Sequence, residues 1–165
     1  MTLRRVLVLL AIAAVAVPAA AYSTLRTTSR VDEHKLAALY QIEQIEAKWH
    51  RATSKKNLNA MMALWAPNAV WTIGGKTYKG KAEIRQVLTK AGPFQLQNHW
   101  ISETPAYKIR ATVNGNRGSV YFECHYIDVD TKQVVLVAGQ TNDVRKIDGK
   151  WVIVRSASSS PSLKP

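Results

Sequence analysis

Apolar residues recur at three- and four-residue steps along the first third of the chain, at Leu36, Leu39, Ile42, Ile45, Trp49 and Ala52. That period puts them on one face of a helix, predicted over 32–54. Asp32 and Glu33 suit its positive N-terminal end, and Lys48, Arg51, Lys55 and Lys56 its C-terminal end. After a tight corner, Asn57 can cap a short second helix. Leu58, Met61, Met62 and Trp65 share one face of it, and Pro67 stops it. The pattern then changes period. Residues 69–73 are apolar and partly β-branched, Gly74-Gly75 permits a tight turn, and 76–79 returns as a second strand. Gly80 breaks that strand, and Ala82, Ile84, Val87 and Leu88 mark a third helix, ended by Ala91-Gly92-Pro93.

From Gln97 onward the pattern is strand-like. Trp100 and Ile101 precede Pro105, which predicts a break or bulge. Tyr107, Ile109, Ala111 and Val113 alternate up to a turn at Asn114-Gly115-Asn116. Long strands follow over 118–130, 134–146 and 150–157, separated by turns at Asp130-Thr131-Lys132 and Asp148-Gly149. Helices first and antiparallel strands last give an α+β fold, with helices packed on one face of a curved sheet. No internal repeat is present.

Composition changes this picture at the ends. Residues 1–21 combine Arg4-Arg5, an apolar run over 6–17 and Ala19-Ala20-Ala21. This is the pattern of a secretory signal peptide, so the chain is expected to be exported, to the periplasm or beyond, and the signal cleaved. An uncleaved N-terminal membrane anchor is the alternative, and Arg4-Arg5 also allows a twin-arginine signal. Residues 22–31 read as a flexible lead, 32–158 as the domain, and the serine- and proline-rich 159–165 as a disordered tail.

The formal charge of the 165 residues is +12. A cation of this strength is drawn to anionic surfaces, so an anionic envelope surface is a candidate partner. The alternative is a solvated basic surface. The basic residues are dispersed, and no nucleic-acid motif accompanies them. The single cysteine, Cys124, excludes an intrachain disulfide and lies in an apolar run, which predicts a buried structural thiol. No zinc, redox, phosphate-loop or nucleophile-elbow pattern occurs, and neither cofactor nor metal is implied.

One stretch carries a resemblance. Asn57-Leu58-Asn59, then Ala63-Leu64-Trp65-Ala66-Pro67-Asn68-Ala69-Val70-Trp71, then Tyr78-Lys79-Gly80-Lys81-Ala82-Glu83-Ile84-Arg85 resembles the SnoaL-like group of the nuclear transport factor 2-like (NTF2-like) superfamily, over about 38–158. The resemblance implies a cone, a curved mixed or antiparallel sheet wrapped around N-terminal helices, with a pocket between them. It also implies a homodimer through the sheet. Its relatives include ketosteroid isomerases, scytalone dehydratase and polyketide cyclases, so the fold alone does not name an activity.

A concave apolar pocket suits a small, largely apolar molecule. Trp49, Trp65, Trp71, Trp100 and Tyr126 are the candidate lining, with Trp49 and Trp71 placed near the cavity by the resemblance. Trp151 is expected in the core. For acid–base chemistry the resemblance points to His99 at a strand start and to Asp143. A histidine titrates near neutrality, and a carboxylate buried in an apolar cavity can shuttle a proton. Asp143 can instead pair with Arg145 or Arg155 on the surface. A two-residue Asp148-Gly149 turn would put Asp143 on the face opposite Trp151, and a three-residue loop would put both on one face. Glu123 and His125 are expected on the solvent or dimer face, and His34 and His50 on the helix surface. The isomerase machinery is incomplete. Residues 70–73 carry no carboxylate, and Trp49 stands where the isomerases have a tyrosine donor.

Three readings follow: a domain that binds a small apolar ligand; a cofactor-free isomerase, dehydratase or cyclase using His99 and Asp143 for proton transfer; and an envelope interaction domain with a basic surface.

Overall fold

A computed structural model describes the backbone of residues 19–160 and the side chains of 33–160. The expected signal peptide lies mostly outside the described residues, as do 161–165 of the expected tail. The chain divides into two units, Met1–His34 and Lys35–Pro165. In the first, the described residues are helical from Ala19. Helix α1 spans Ala19–Ser54, so residues 22–31, expected as a flexible lead, are helical. No glycine or proline occurs between Ala19 and Ser54 to interrupt it. Among the described residues, no helix is long and apolar enough to cross a membrane.

The unit Lys35–Pro165 has the predicted α+β order. Short helix α2 (Leu58–Met62) follows α1, then strands β1 (Trp65–Ile73) and β2 (Lys76–Lys79) and helix α3 (Gly80–Lys90). Five strands complete it: β3 (Trp100–Glu103), β4 (Arg110–Asn114), β5 (Arg117–Asp128), β6 (Val134–Ile147) and β7 (Lys150–Ser159). The sheet order is β2-β1-β7-β6-β5-β3, with β4 also on β5. All pairings are antiparallel except β1 with β7. Ile42, Ile45, Trp49 and Ala52 of α1 are buried with the inward residues of the sheet. Leu36, expected on the same apolar face, is 65% exposed.

Local chemistry explains the corners. At the end of α1, Lys56 adopts a positive φ of 52°. Its N–H bonds Thr53 O and the Asn57 N–H bonds Ala52 O, the paired closure of a helix C-terminus. Asn57 then caps α2 by accepting the Ala60 N–H. The second helix stops at Met62, not at the expected Trp65. Trp65 instead starts β1, because its backbone pairs with Ile153 and the neighbouring Leu64 O accepts the Ile153 N–H. Pro67 is tolerated there because the β1–β7 register shifts between Trp65 and Val70. Gly74 and Gly75 both take positive φ in a two-residue turn.

The break expected at Pro105 separates β3 from β4, which both pair with β5. A single helical turn, Ala106–Lys108, occupies the gap where a continuous strand was expected from Tyr107. Asp148-Gly149 forms a two-residue turn, with Ile147 opposite Lys150. That register, carried past a bulge between Asp143 and Val144, turns Trp151 inward and leaves Asp143 exposed on the other face.

Candidate functional site

The concave face of the sheet is built by alternation. Val120, Phe122, Cys124 and Tyr126 of β5 point toward α1, and each is at most 5% exposed. Opposite them in β6 stand Asn142, Gln140, Ala138 and Leu136. Three tryptophans cover this floor. Trp49 of α1 lies 5.9 Å from Trp65 and 5.7 Å from Phe122, and Trp65 lies 5.7 Å from Trp71, between ring centroids. All three are buried. Trp100 is half-buried against Tyr126, 6.5 Å between rings. The five aromatic residues expected to line a pocket lie on the concave side, but none of them borders the groove between α1, α2 and the β6–β7 turn.

Polar groups are set into this aromatic floor. Asn142 pairs with Ser156 across β6–β7, and Ser156 pairs with Trp71 across β7–β1. One row thus runs over three strands. The Trp71 indole N–H donates to Ser158 Oγ at 2.8 Å, and Ser158 donates to Gln140 Oε1 at 2.7 Å. Asn142 Nδ2 reaches Val120 O and Gln140 O at 3.3 and 3.4 Å. Among the described residues five buried side-chain atoms make no hydrogen bond within normal geometry, and four lie along this floor: Trp49 Nε1, which has the Tyr126 hydroxyl and the Cys124 thiol as neighbours, Trp65 Nε1, Asn142 Oδ1 and Ser156 Oγ; the fifth is Trp151 Nε1. A buried polar atom without a partner costs about 1–3 kcal/mol, and native interiors keep few of them. The sequence contained a signal for this row. Gln140 and Asn142 alternate along β6, and Ser156 and Ser158 along β7, but which face that alternation serves depends on strand register.

Beside the aromatic floor lies a second cluster that sequence reasoning missed. His50, expected on the helix surface, is buried at 8% exposure. Its Nδ1 lies 2.6 Å from Ser102 Oγ, and its Nε2 lies 2.5 Å from Thr104 Oγ1 and 3.1 Å from Glu46 Oε1. Its ring meets Phe122 edge-on. Thr104 Oγ1 donates to Glu123 O, and Ser54 Oγ accepts the Ser102 N–H. Glu46, His50 and Ser54 follow one another at four-residue spacing on α1, so together they fasten the helix to β3 and to the break after it. Both ring nitrogens of His50 are engaged in that fastening. Burial pushes the neighbouring Cys124 thiol up to about 12 and raises the Tyr126 phenol well above its usual range. Cys124 is therefore a neutral, buried thiol near pH 7, not a nucleophile.

The expected catalytic pair is not assembled. His99 is exposed at the start of β3, with Nδ1 2.8 Å from Asp130 Oδ2. Asp143 is exposed on the outer face, opposite Ser119 and Arg155. His99 O accepts the Val129 N–H, just beyond the far end of β5 from Ser119. At the rise of an extended strand the two sites are about 30 Å apart. Hairpin register put Asp143 outside, and the turn at Asp130 holds His99 at the rim.

Glu123 and His125 lie on the outer face as expected, but Glu123 is buried there at 6% exposure. Its carboxylate accepts from Lys108 Nζ at 3.1 Å, Tyr121 OH at 3.0 Å and His125 Nε2 at 3.1 Å. Burial alone would raise its pKa. The three hydrogen bonds, from His125, Lys108 and Tyr121, together outweigh that and hold it below the usual carboxylate range. Among the described residues no group of three potential metal ligands clusters.

The comparisons fit this geometry. Residues 34–157 match the family model of the SnoaL-like domain. No curated protein matches the chain. Among solved structures, an NTF2-like protein of Pseudomonas putida superposes with a TM-score of 0.68 at 18% identity, covering 79% of this chain and 98% of that one. An NTF2-like protein with a cystatin-like fold from Novosphingobium aromaticivorans has the same TM-score at 16% identity, covering 86% and 91%. A cystatin-like protein of Nostoc punctiforme gives 0.62 at 18% identity, covering 76% and 92%.

Proposed function

Since the chain belongs to the SnoaL-like domain family of the NTF2-like fold, we propose that it binds a small, largely apolar molecule bearing one or two oxygen functions on its concave face. The observation that carries this reading is the set of unpartnered buried atoms: two indole N–H donors, one amide acceptor and one hydroxyl. A carbonyl or lactone oxygen would accept from the indoles, and a hydroxyl would donate to Asn142 Oδ1. The aromatic rings supply apolar contact. Half-buried Trp100 packs against Tyr126 at the β3 end of this face. No proton-transfer role is assigned to His99 or Asp143. The residues 1–21 pattern supports action after export. Dimerisation through the sheet is part of the proposal, supported by exposed Ile101, Val134 and Val135 at one end of it.

The test is tryptophan fluorescence with small cyclic ketones, lactones and their hydroxylated forms, in the wild type and in Asn142→Leu and Trp49→Phe. Saturable quenching that weakens at least tenfold in both variants supports the reading. Absence of saturable binding across the series, or binding indifferent to both substitutions, overturns it.

A further inference from the structure

A groove opens beside the aromatic floor, on the same inner side of the sheet. It runs between α1, α2 and the β6–β7 turn and has a volume of about 680 Å³. That volume is within the range of about 300–1,000 Å³ for small-molecule sites. Its floor is apolar, formed by Ile45, Ala52, Leu64, Trp151 and Val152. Trp151, expected as a core residue, is more than nine-tenths buried, and its indole N–H has no partner. Along the groove stand Lys48, Arg51 and Lys55 of α1, with Lys150 at its turn-side end. All four are exposed, and none makes an ion pair among the described residues. Among the described residues no lining side chain is acidic. Asp148 precedes the lining residue Gly149 in the same turn.

We infer that this groove binds a single-chain anionic amphiphile, a long-chain carboxylate in its simplest form. The argument is the pairing of surfaces. Like charges held side by side repel, and an anion among them relieves that repulsion. A bare anion would leave the apolar floor wet, and a neutral chain would leave the cations unpaired. An amphiphile meets both. The lining of α1 from Gln41 to Lys55 extends about 21 Å at the helical rise, room for an extended twelve-carbon chain. The simpler account is that the lysine stems cover the floor themselves, and the experiment separates the two. The site is independent of the concave-face reading.

The experiment is calorimetric titration of the full chain with laurate below its micelle concentration, beside dodecanol, inorganic phosphate and phosphatidylglycerol vesicles. Trp151 is followed by its indole N–H resonance. The expected result is one laurate per chain, a moved Trp151 signal, and at least tenfold weaker binding for dodecanol and for the Lys48→Gln/Arg51→Gln/Lys150→Gln variant. Ala63→Trp, which fills the groove from an exposed position and leaves the charges in place, should abolish binding. Laurate binding that survives charge removal, or an unmoved Trp151 signal, overturns the inference. So does binding of phosphate equal to laurate, or binding of vesicles alone.

Discussion

Phe122 and Glu123 are neighbours in β5, both buried, and point to opposite faces of the sheet. Phe122 belongs to the concave side, where apolar contact is dense and, among the described residues, five buried polar atoms lack partners. Glu123 belongs to the outer side, where a charge is buried and fully engaged by Lys108, Tyr121 and His125. A satisfied polar cluster holds structure. An unsatisfied one retains hydrogen-bonding capacity for something else. By that criterion the buried carboxylate, the more conspicuous chemical group, is structural, and the quieter indoles and amide are the groups left free for the proposed ligand.

The largest effect should come from emptying the concave side. Phe122→Ala removes the ring that supports both Trp49 and His50 and should cost about 3–5 kcal/mol, read by urea unfolding. A cost below 1 kcal/mol would mean that the aromatic floor is loosely packed.

Breaking the outer cluster should cost less, because Lys108 and His125 retain access to water. Glu123→Gln should lose about 2 kcal/mol at neutral pH. It also has a signature in pH. The folded carboxyl titrates below its unfolded value, so its contribution is fully present above the ordinary glutamate range and is lost as pH falls through the folded value. The wild type should therefore lose stability relative to Glu123→Gln on acidification below about pH 4.5, and the gap between them should close. A gap constant with pH would remove the carboxylate from the account.

The smallest effect has the opposite sign. Asn142→Leu exchanges a half-satisfied amide for an apolar group of similar size and should stabilise the protein by about 1 kcal/mol, while weakening ligand binding. Destabilisation would show that the amide is already fully satisfied and would erase the contrast between the two faces.

Much of the fold was legible along the chain. Gly74-Gly75 and Asp148-Gly149 are turn chemistries that work within four residues, so they appear where the pattern puts them. The α1 stripe, the capping Asn57 and the alternation of β5 are equally local. The candidate site was half legible, because Trp49 lies on the apolar stripe of α1 and Trp65 and Trp71 share one parity of β1, whereas the face each strand presents depended on register.

What the sequence alone determined is therefore the main helices and long strands, the α+β order, the family and the buried thiol of Cys124, but not the helix over 22–31, the helical turn Ala106–Lys108 or the strand start at Trp65. The tertiary structure decided which polar groups meet. His50 is buried because β3 brings Ser102 and Thr104 to it from more than fifty residues away. Glu123 is buried because the gap between β3 and β4 delivers Lys108. His99 and Asp143 are parted by the length of β5 and by a hairpin register that a single residue would reverse. Turn and periodicity signals are short-range energies written in neighbouring residues. Pairings between distant strands are chosen by the whole sheet at once, and no local pattern fixes them.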